Sequence, residues 1–237
     1  ANTWRQPFPE IWRQILQNYV PYYQFLHPAY KQRFEKHVQV FLAETKFISV
    51  GAPVDDLLRV LTAASAVIPV FGYEDWEYDL LSGIYVYPHS FGLDAGAPRG
   101  QGYVAGLVGG AHLYHAMALS RPDVLRAYVQ PFDGRNVGIH EFVHLIDKAD
   151  GGIDGVPYMF LGRKRTAEWR AMRDQVLAEI HNGKALIDPY ATTNDAEFFA
   201  VVGEYFFETP SLLYNEHPEL YALLRIAFRQ DPYNLLK

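Results

Sequence analysis

The chain has 237 residues, 49% of them hydrophobic and 20% charged, with no cysteine and a formal net charge of −6. This composition excludes wholesale disorder, a disulfide framework, a thiolate metal site and a cysteine nucleophile. Most of the 21 Lys and Arg residues are scattered singly, which argues against a phosphate-binding stripe and against nucleic acid as a partner.

No run of 18 apolar residues occurs, because Pro69 breaks Val60–Phe71 and His112 and His115 break Val104–Leu119. The opening Ala1-Asn2-Thr3-Trp4-Arg5 does not look like a secretion signal. These features predict a soluble, cytoplasmic protein with no membrane partner.

Residues 8–46 carry helical patterning, with Ile11, Ile15, Leu16 and Tyr19 before Pro21, then Phe34, Val38, Phe41 and Leu42 after it. A second apolar helix is predicted over Val54–Ile68, opened by Pro53 and stopped by Pro69. Ile84-Tyr85-Val86-Tyr87 is β-branched and aromatic and reads as a strand. The glycine-rich Gly92–Gly110 stretch predicts a loop or turn-rich hairpin, followed by a strand around Ala111–Leu119. Asp133-Gly134-Arg135-Asn136 supplies turn chemistry and a cap for a helix over Val137–Lys148, closed by Asp150-Gly151-Gly152. Further helices are predicted over about Thr166–His181, from the capping box Asn194-Asp195-Ala196-Glu197 to about Glu208, and near Pro218–Phe228. The pattern predicts a single α+β domain over 1–237, mainly helical, with a helical part over about 1–70 and a small central sheet in the remainder.

His140-Glu141-Phe142-Val143-His144 is the strongest chemical signal. On a helix, residues four apart share one face roughly 6 Å apart, so both imidazoles can reach one ion. Glu141 sits one step round, placed to touch a water on that ion, as in zinc proteases. Zinc chemistry of this kind needs a third protein ligand and an open fourth position. Asp147 is the nearest acid, but it lies about 7.5 Å of helix rise beyond the midpoint of the two histidines, too far for a short side chain. It reads instead as a hydrogen-bond acceptor supporting the site or as a helix-end polar residue. Glu168, Glu179, Glu197, Glu204 and Glu208 are the downstream candidates, with Glu197 favoured and Glu204 next. His112 and His115 form an H-x-x-H with weak support for a second metal, because strand geometry turns them to opposite faces.

The run from Asp133 to Asp147, followed by Ala149-Asp150-Gly151 and Gly155-Val156-Pro157, resembles the signature of the Mlc titration factor A family. Phe41–Phe47, Pro69–Gly72, Val86–Pro88 and Gly203–Pro210 are similar to further landmarks of that family. The resemblance implies a zincin-like metallopeptidase fold with an active-site region like the catalytic domain of anthrax lethal factor. It also implies one zinc ion on His140, His144 and Glu197, and catalytic roles for Glu141 and for Tyr190, seven residues before Glu197. Peptides or proteins would be the substrates, with aminopeptidase activity as one form. The family further implies a second function, sequestering a glucose-related transcriptional repressor.

Two departures stand out. Leu119-Ser120 leads into Arg121-Pro122 where the family shows Leu-Ser-Trp, and Gly109-Gly110-Ala111-His112 replaces a Gly-Glu-Ala-Trp-like segment. If that strand borders the substrate groove, substrate preference is expected to differ while the metal chemistry is kept.

Overall fold

The computed structural model describes residues 6–79, 81–89, 116–149 and 151–235. Proline punctuates its N-terminal part. Helix α1 runs over Glu10–Tyr19, and Pro21 and Pro28 each open the next helix, α2 (Pro21–Phe25) and α3 (Pro28–Glu44). Proline is tolerated in a first turn because its missing N–H has no intrahelical partner there. Helix α4 (Asp56–Val70) begins where the Asp55 carboxylate accepts the Leu58 N–H at 2.9 Å. Pro69 falls inside its last turn instead of ending it, so the helix runs two residues past the predicted end at Ile68.

Strands β1 (Phe47–Ser49), β2 (Gly83–Tyr87) and β3 (Ala116–Ser120) form a parallel sheet in the order β1-β2-β3. The register places Phe47 beside Ile84 and Ile84 beside Met117. Parallel neighbours require a long crossover, and α4 lies within the one between β1 and β2. All five β3 residues are buried, as expected of a parallel strand covered on both faces. β1 is a three-residue strand without alternation, and no pattern in the sequence announced it. The first residues of the predicted 111–119 strand, the glycine-rich 92–110 stretch, the His112/His115 pair and the 109–112 departure all lie outside the described residues. Arg121-Pro122 opens helix α5 (Arg121–Val129), with Ser120 as N-cap accepting the Asp123 N–H at 3.3 Å.

The chain divides into two compact units, Ala1–Ile68 with Glu77–Pro131 and Pro69–Trp76 with Phe132–Lys237. The first holds the sheet and is filled by Leu16, Phe34, Val38, Leu58, Leu61, Ile84 and Met117. The second carries α6 (Val137–Lys148), α7 (Tyr158–His181), α8 (Asp195–Glu208), α9 (Pro210–Glu216), α10 (Pro218–Phe228) and α11 (Pro232–Leu235). Helix α7 starts eight residues before the predicted Thr166 and is interrupted at Gly162, whose φ is +68°.

The second unit's core is aromatic. Trp169, Phe198, Phe199, Phe206, Tyr221 and Phe228 are fully buried, each ring worth about 1.5–3 kcal/mol relative to exposure. Phe199 stacks on Phe228 at 5.8 Å and meets the edge of Trp169 at 5.5 Å, which packs α8 against α7 and α10. The protein is thus mainly helical α+β with a small parallel sheet. Among the described residues no helix is long and apolar enough to cross a membrane.

Candidate metal centre

Helix α6 begins as its sequence predicts. Asn136, fully buried, caps it by accepting the Ile139 N–H at 3.0 Å. The four-residue spacing then places His140 and His144 on one face, with their Nε2 atoms 3.2 Å apart and their rings at 82°. Ile139, Phe142, Val143 and Ile146 bury the other faces.

Helix α8 packs antiparallel to α6: its first turn lies by the His140/His144 pair and its last turns by Asn136. The two helices approach closely at Gly203, where even a methyl group would lie 3.0 Å from the Val143 side chain. Asn194 caps α8 by accepting the Glu197 N–H at 2.9 Å. The Glu197 carboxylate does not merely close a capping box. Its Oε2 lies 2.9 Å from His140 Nε2 and 3.5 Å from His144 Nε2. One ligand atom each from His140, His144 and Glu197 therefore converges within 4.8 Å, a set that could hold a metal ion. Two imidazoles and one carboxylate are the donors of an open, catalytic type of site, so the residues present fit a divalent cation.

The electrostatics follow from burial. Desolvation alone would lower the His140 pKa, but Glu204, Glu197 and Glu141 outweigh it and hold it well above the ordinary value. For His144 burial wins and the pKa is lowered. Burial would raise Glu197, yet its bonds to the two imidazoles bring it down to about 2, so it is an anion at neutral pH. Burial first, then the charge of Glu197, pushes the Tyr190 phenol upward, which keeps it a protonated donor.

Glu141 is 1% exposed, beside the first histidine. Tyr190 stands on a short 3-10 turn (Pro189–Thr192), its ring 6.1 Å from that of His140. Asp188 holds this turn: one carboxylate oxygen accepts the Tyr190 N–H at 3.0 Å and the other accepts Arg135 at 3.0 Å. Asp147 does not belong to the converging set. Its Oδ2 accepts the Gly155 N–H at 2.8 Å, and the Gly155 carbonyl accepts the Trp169 indole N–H at 2.8 Å.

The sequence candidates thus separate. His140, His144 and Glu197 come together, with Glu141 and Tyr190 beside them. Glu168 is exposed on α7, and Glu179 pairs with His217. Glu204 and Glu208 face α6 but sit behind the imidazoles. The sequence ranks Glu204 second to Glu197 as a ligand, whereas it lies against His140 Nδ1, and gives Glu208 no role beyond candidacy. The available signal was spacing, since positions 197, 204 and 208 lie at i, i+7 and i+11, one face of a 3.6-residue helix.

Comparison with known proteins supplies the family. Residues 2–229 match the family described as glucose-regulated metallo-peptidase M90. The uncharacterized protein slr2042 of Synechocystis sp. is 33% identical over 241 residues, 96% of this chain and 86% of its own length. Mlc titration factor A of Yersinia enterocolitica is 27% identical over 248 residues, 98% of this chain and 91% of its own. Its counterpart in Pectobacterium atrosepticum is 38% identical over 112 residues, 44% of this chain and 42% of its own. A helix-borne His pair, a carboxylate from a second helix and a family match over nearly the whole chain lead to one assignment: this chain belongs to the M90 family of metallopeptidases, enzymes that work with a metal ion.

Proposed function

We propose that the protein is a zinc-dependent peptidase acting in the cytoplasm, with His140, His144 and Glu197 as the metal ligands. The observation that carries this reading is the convergence of their three ligand atoms within 4.8 Å on two antiparallel helices. Zinc suits a nitrogen- and oxygen-rich set and, when bound, supplies a Lewis acid that acidifies water and polarises a carbonyl.

The chain's own groups do the rest. Glu141, as a carboxylate, takes the proton of the attacking water and returns it to the leaving amine. The Tyr190 hydroxyl, protonated at neutral pH, donates to the oxyanion that develops on the scissile carbonyl. Glu197 remains ionised throughout, as its depressed pKa requires. Aminopeptidase activity is one form this chemistry takes.

The test is elemental analysis of the purified protein together with a peptide-library digest, with and without chelator. One zinc per chain and chelator-sensitive cleavage are expected. Cleavage that persists in a metal-free His144→Ala variant overturns the reading.

The names of the Mlc titration factor A relatives favour a second function, capture of a protein partner such as a transcriptional repressor. A pull-down with Glu141→Gln separates the two, because capture that survives loss of cleavage is a function of its own.

A further inference from the structure

Glu204 lies in the interior of α8, two turns beyond Glu197, and is 8% exposed. Its two oxygens have different tasks. Oε2 accepts the Asn136 N–H at 2.6 Å, at the N-terminal end of α6, a contact that any helix-docking acid could make. Oε1 lies 2.7 Å from His140 Nδ1, on the opposite side of the ring from the Nε2 that faces His144 and Glu197. Among the described residues His140 is its only ion-pair partner.

The neighbouring ligand is treated differently. His144 Nδ1 is buried and has no hydrogen-bond partner among the described residues. Glu208, one turn beyond Glu204, grips the same end of α6 by accepting from Asn136 Nδ2 at 2.9 Å and from the Phe132 N–H at 3.0 Å. Among the described residues it touches no imidazole. The fold thus contains two buried acids on one helix face, both docked on the start of α6, of which one alone reaches a ligand ring.

Resting on the zinc reading above, we propose that Glu204 is a positioning residue for the metal centre. By accepting the Nδ1–H of His140 it fixes the tautomer that leaves Nε2 as the lone-pair donor. It also locks the ring plane and makes the imidazole a stronger ligand. His140 is then the pinned ligand and His144 the compliant one. Removing Glu204 weakens zinc binding although Glu204 never contacts the ion, while removing Glu208 loosens the helix end and leaves the affinity in place.

The experiment is competition for zinc between the full-length protein and a chromophoric chelator near neutral pH. It compares wild type with Glu204→Ala, Glu204→Gln and Glu208→Gln, and a thermal melt of each metal-free protein reports the purely structural effect. Glu204→Ala is expected to raise the zinc Kd about 10- to 100-fold. Glu204→Gln, nearly isosteric and able to accept from Nδ1–H, recovers part of that loss. Glu208→Gln stays within about threefold of wild type even where its melt is lower. In the zinc-loaded proteins, 15N-resolved NMR of the histidine rings should show a protonated, hydrogen-bonded His140 Nδ1 in wild type and a weakened bond in Glu204→Gln, a readout that survives if the alanine variant does not fold. A Glu204→Ala affinity loss no larger than that of Glu208→Gln, or a His140 Nδ1 that carries no hydrogen-bonded proton in the zinc-loaded wild type, overturns the proposal and leaves the zinc reading standing. A wild-type protein that binds no zinc overturns both.

Discussion

Gly155 presses its bare Cα against the main chain of Asp195, two residues before Glu197, and a Cβ there would overlap the Asp195 carbonyl. Its φ of +70° is also one that side chains rarely adopt. Gly155→Ala should therefore combine backbone strain with a clash and lose about 3 kcal/mol of stability. Gly183, with a similar φ of +65° but nothing within 4 Å of an added Cβ, should lose only about 1 kcal/mol on the same change. Urea unfolding of both variants checks this, and equal losses would show that the contact with Asp195 is unimportant.

Glu141→Gln and Tyr190→Phe probe the two groups beside the ligands. The first removes the proton acceptor and should lower kcat by about 10²- to 10⁴-fold with metal content unchanged. The second removes one oxyanion donor and should lower kcat by about 10²- to 10³-fold with little change in KM. Steady-state kinetics on a cleaved library peptide, with zinc analysis of each variant, decides. A Tyr190→Phe enzyme with unaltered kcat would leave that ring a packing role against His140.

Metal removal should be visible in stability as well as in turnover. A ligand held at a thousandfold excess over its Kd stabilises the native state by about 4 kcal/mol. Chelator should accordingly lower the melting temperature of wild type but not that of His144→Ala, whose binding set is already broken. Calorimetry with and without chelator makes the comparison.

Glu208 gives a pH dependence of defined sign. Burial pushes its carboxyl up to about 7 against the lowering effect of Asn136 and of the Phe132 N–H, whereas the ordinary value is 4.5. Between those values the folded form holds a proton that the unfolded chain has released, so stability falls as pH rises from about 4.5 to about 7 and is level above. A displacement of that size corresponds to about 3 kcal/mol at most. Chelator-treated wild type should lose more unfolding free energy between pH 5 and pH 8 than Glu208→Gln, as read by urea titration at both values. Equal losses would show an ordinary carboxylate at this position.

Where the sequence was informative, the reason was local periodicity. His140 and His144 announce themselves because one helix places both, and the Asn194 cap marks the start of α8 to the residue. Asp147 could be excluded as a ligand from helix rise alone, but its actual partner, the Gly155 N–H, is a tertiary contact that spacing does not encode. The sequence favours Glu197 over Glu204 and the resemblance strengthens that choice, because spacing alone does not fix a tertiary contact. Helix α5 carried a start signal in Ser120-Arg121-Pro122-Asp123, but only Val124, Ala127 and Tyr128 of it are buried, too few to set a clear period. The turn before Gly162 was missed because the predicted helix begins only at about Thr166, beyond the break.

The register of α8 has an evolutionary consequence. Glu197, Glu204 and Glu208 reach α6 from a single row, between its imidazole pair and its Asn136 cap, so their separations are fixed by the pitch of the helix. Inserting or deleting one residue between 197 and 204 would swing everything downstream by about 100° and turn two acids away from their targets together. Volume-conserving substitutions can accumulate along this helix, which is buried from Phe198 to Glu208, but length changes in that interval should be purged, and lineages that keep the chemistry should keep the count.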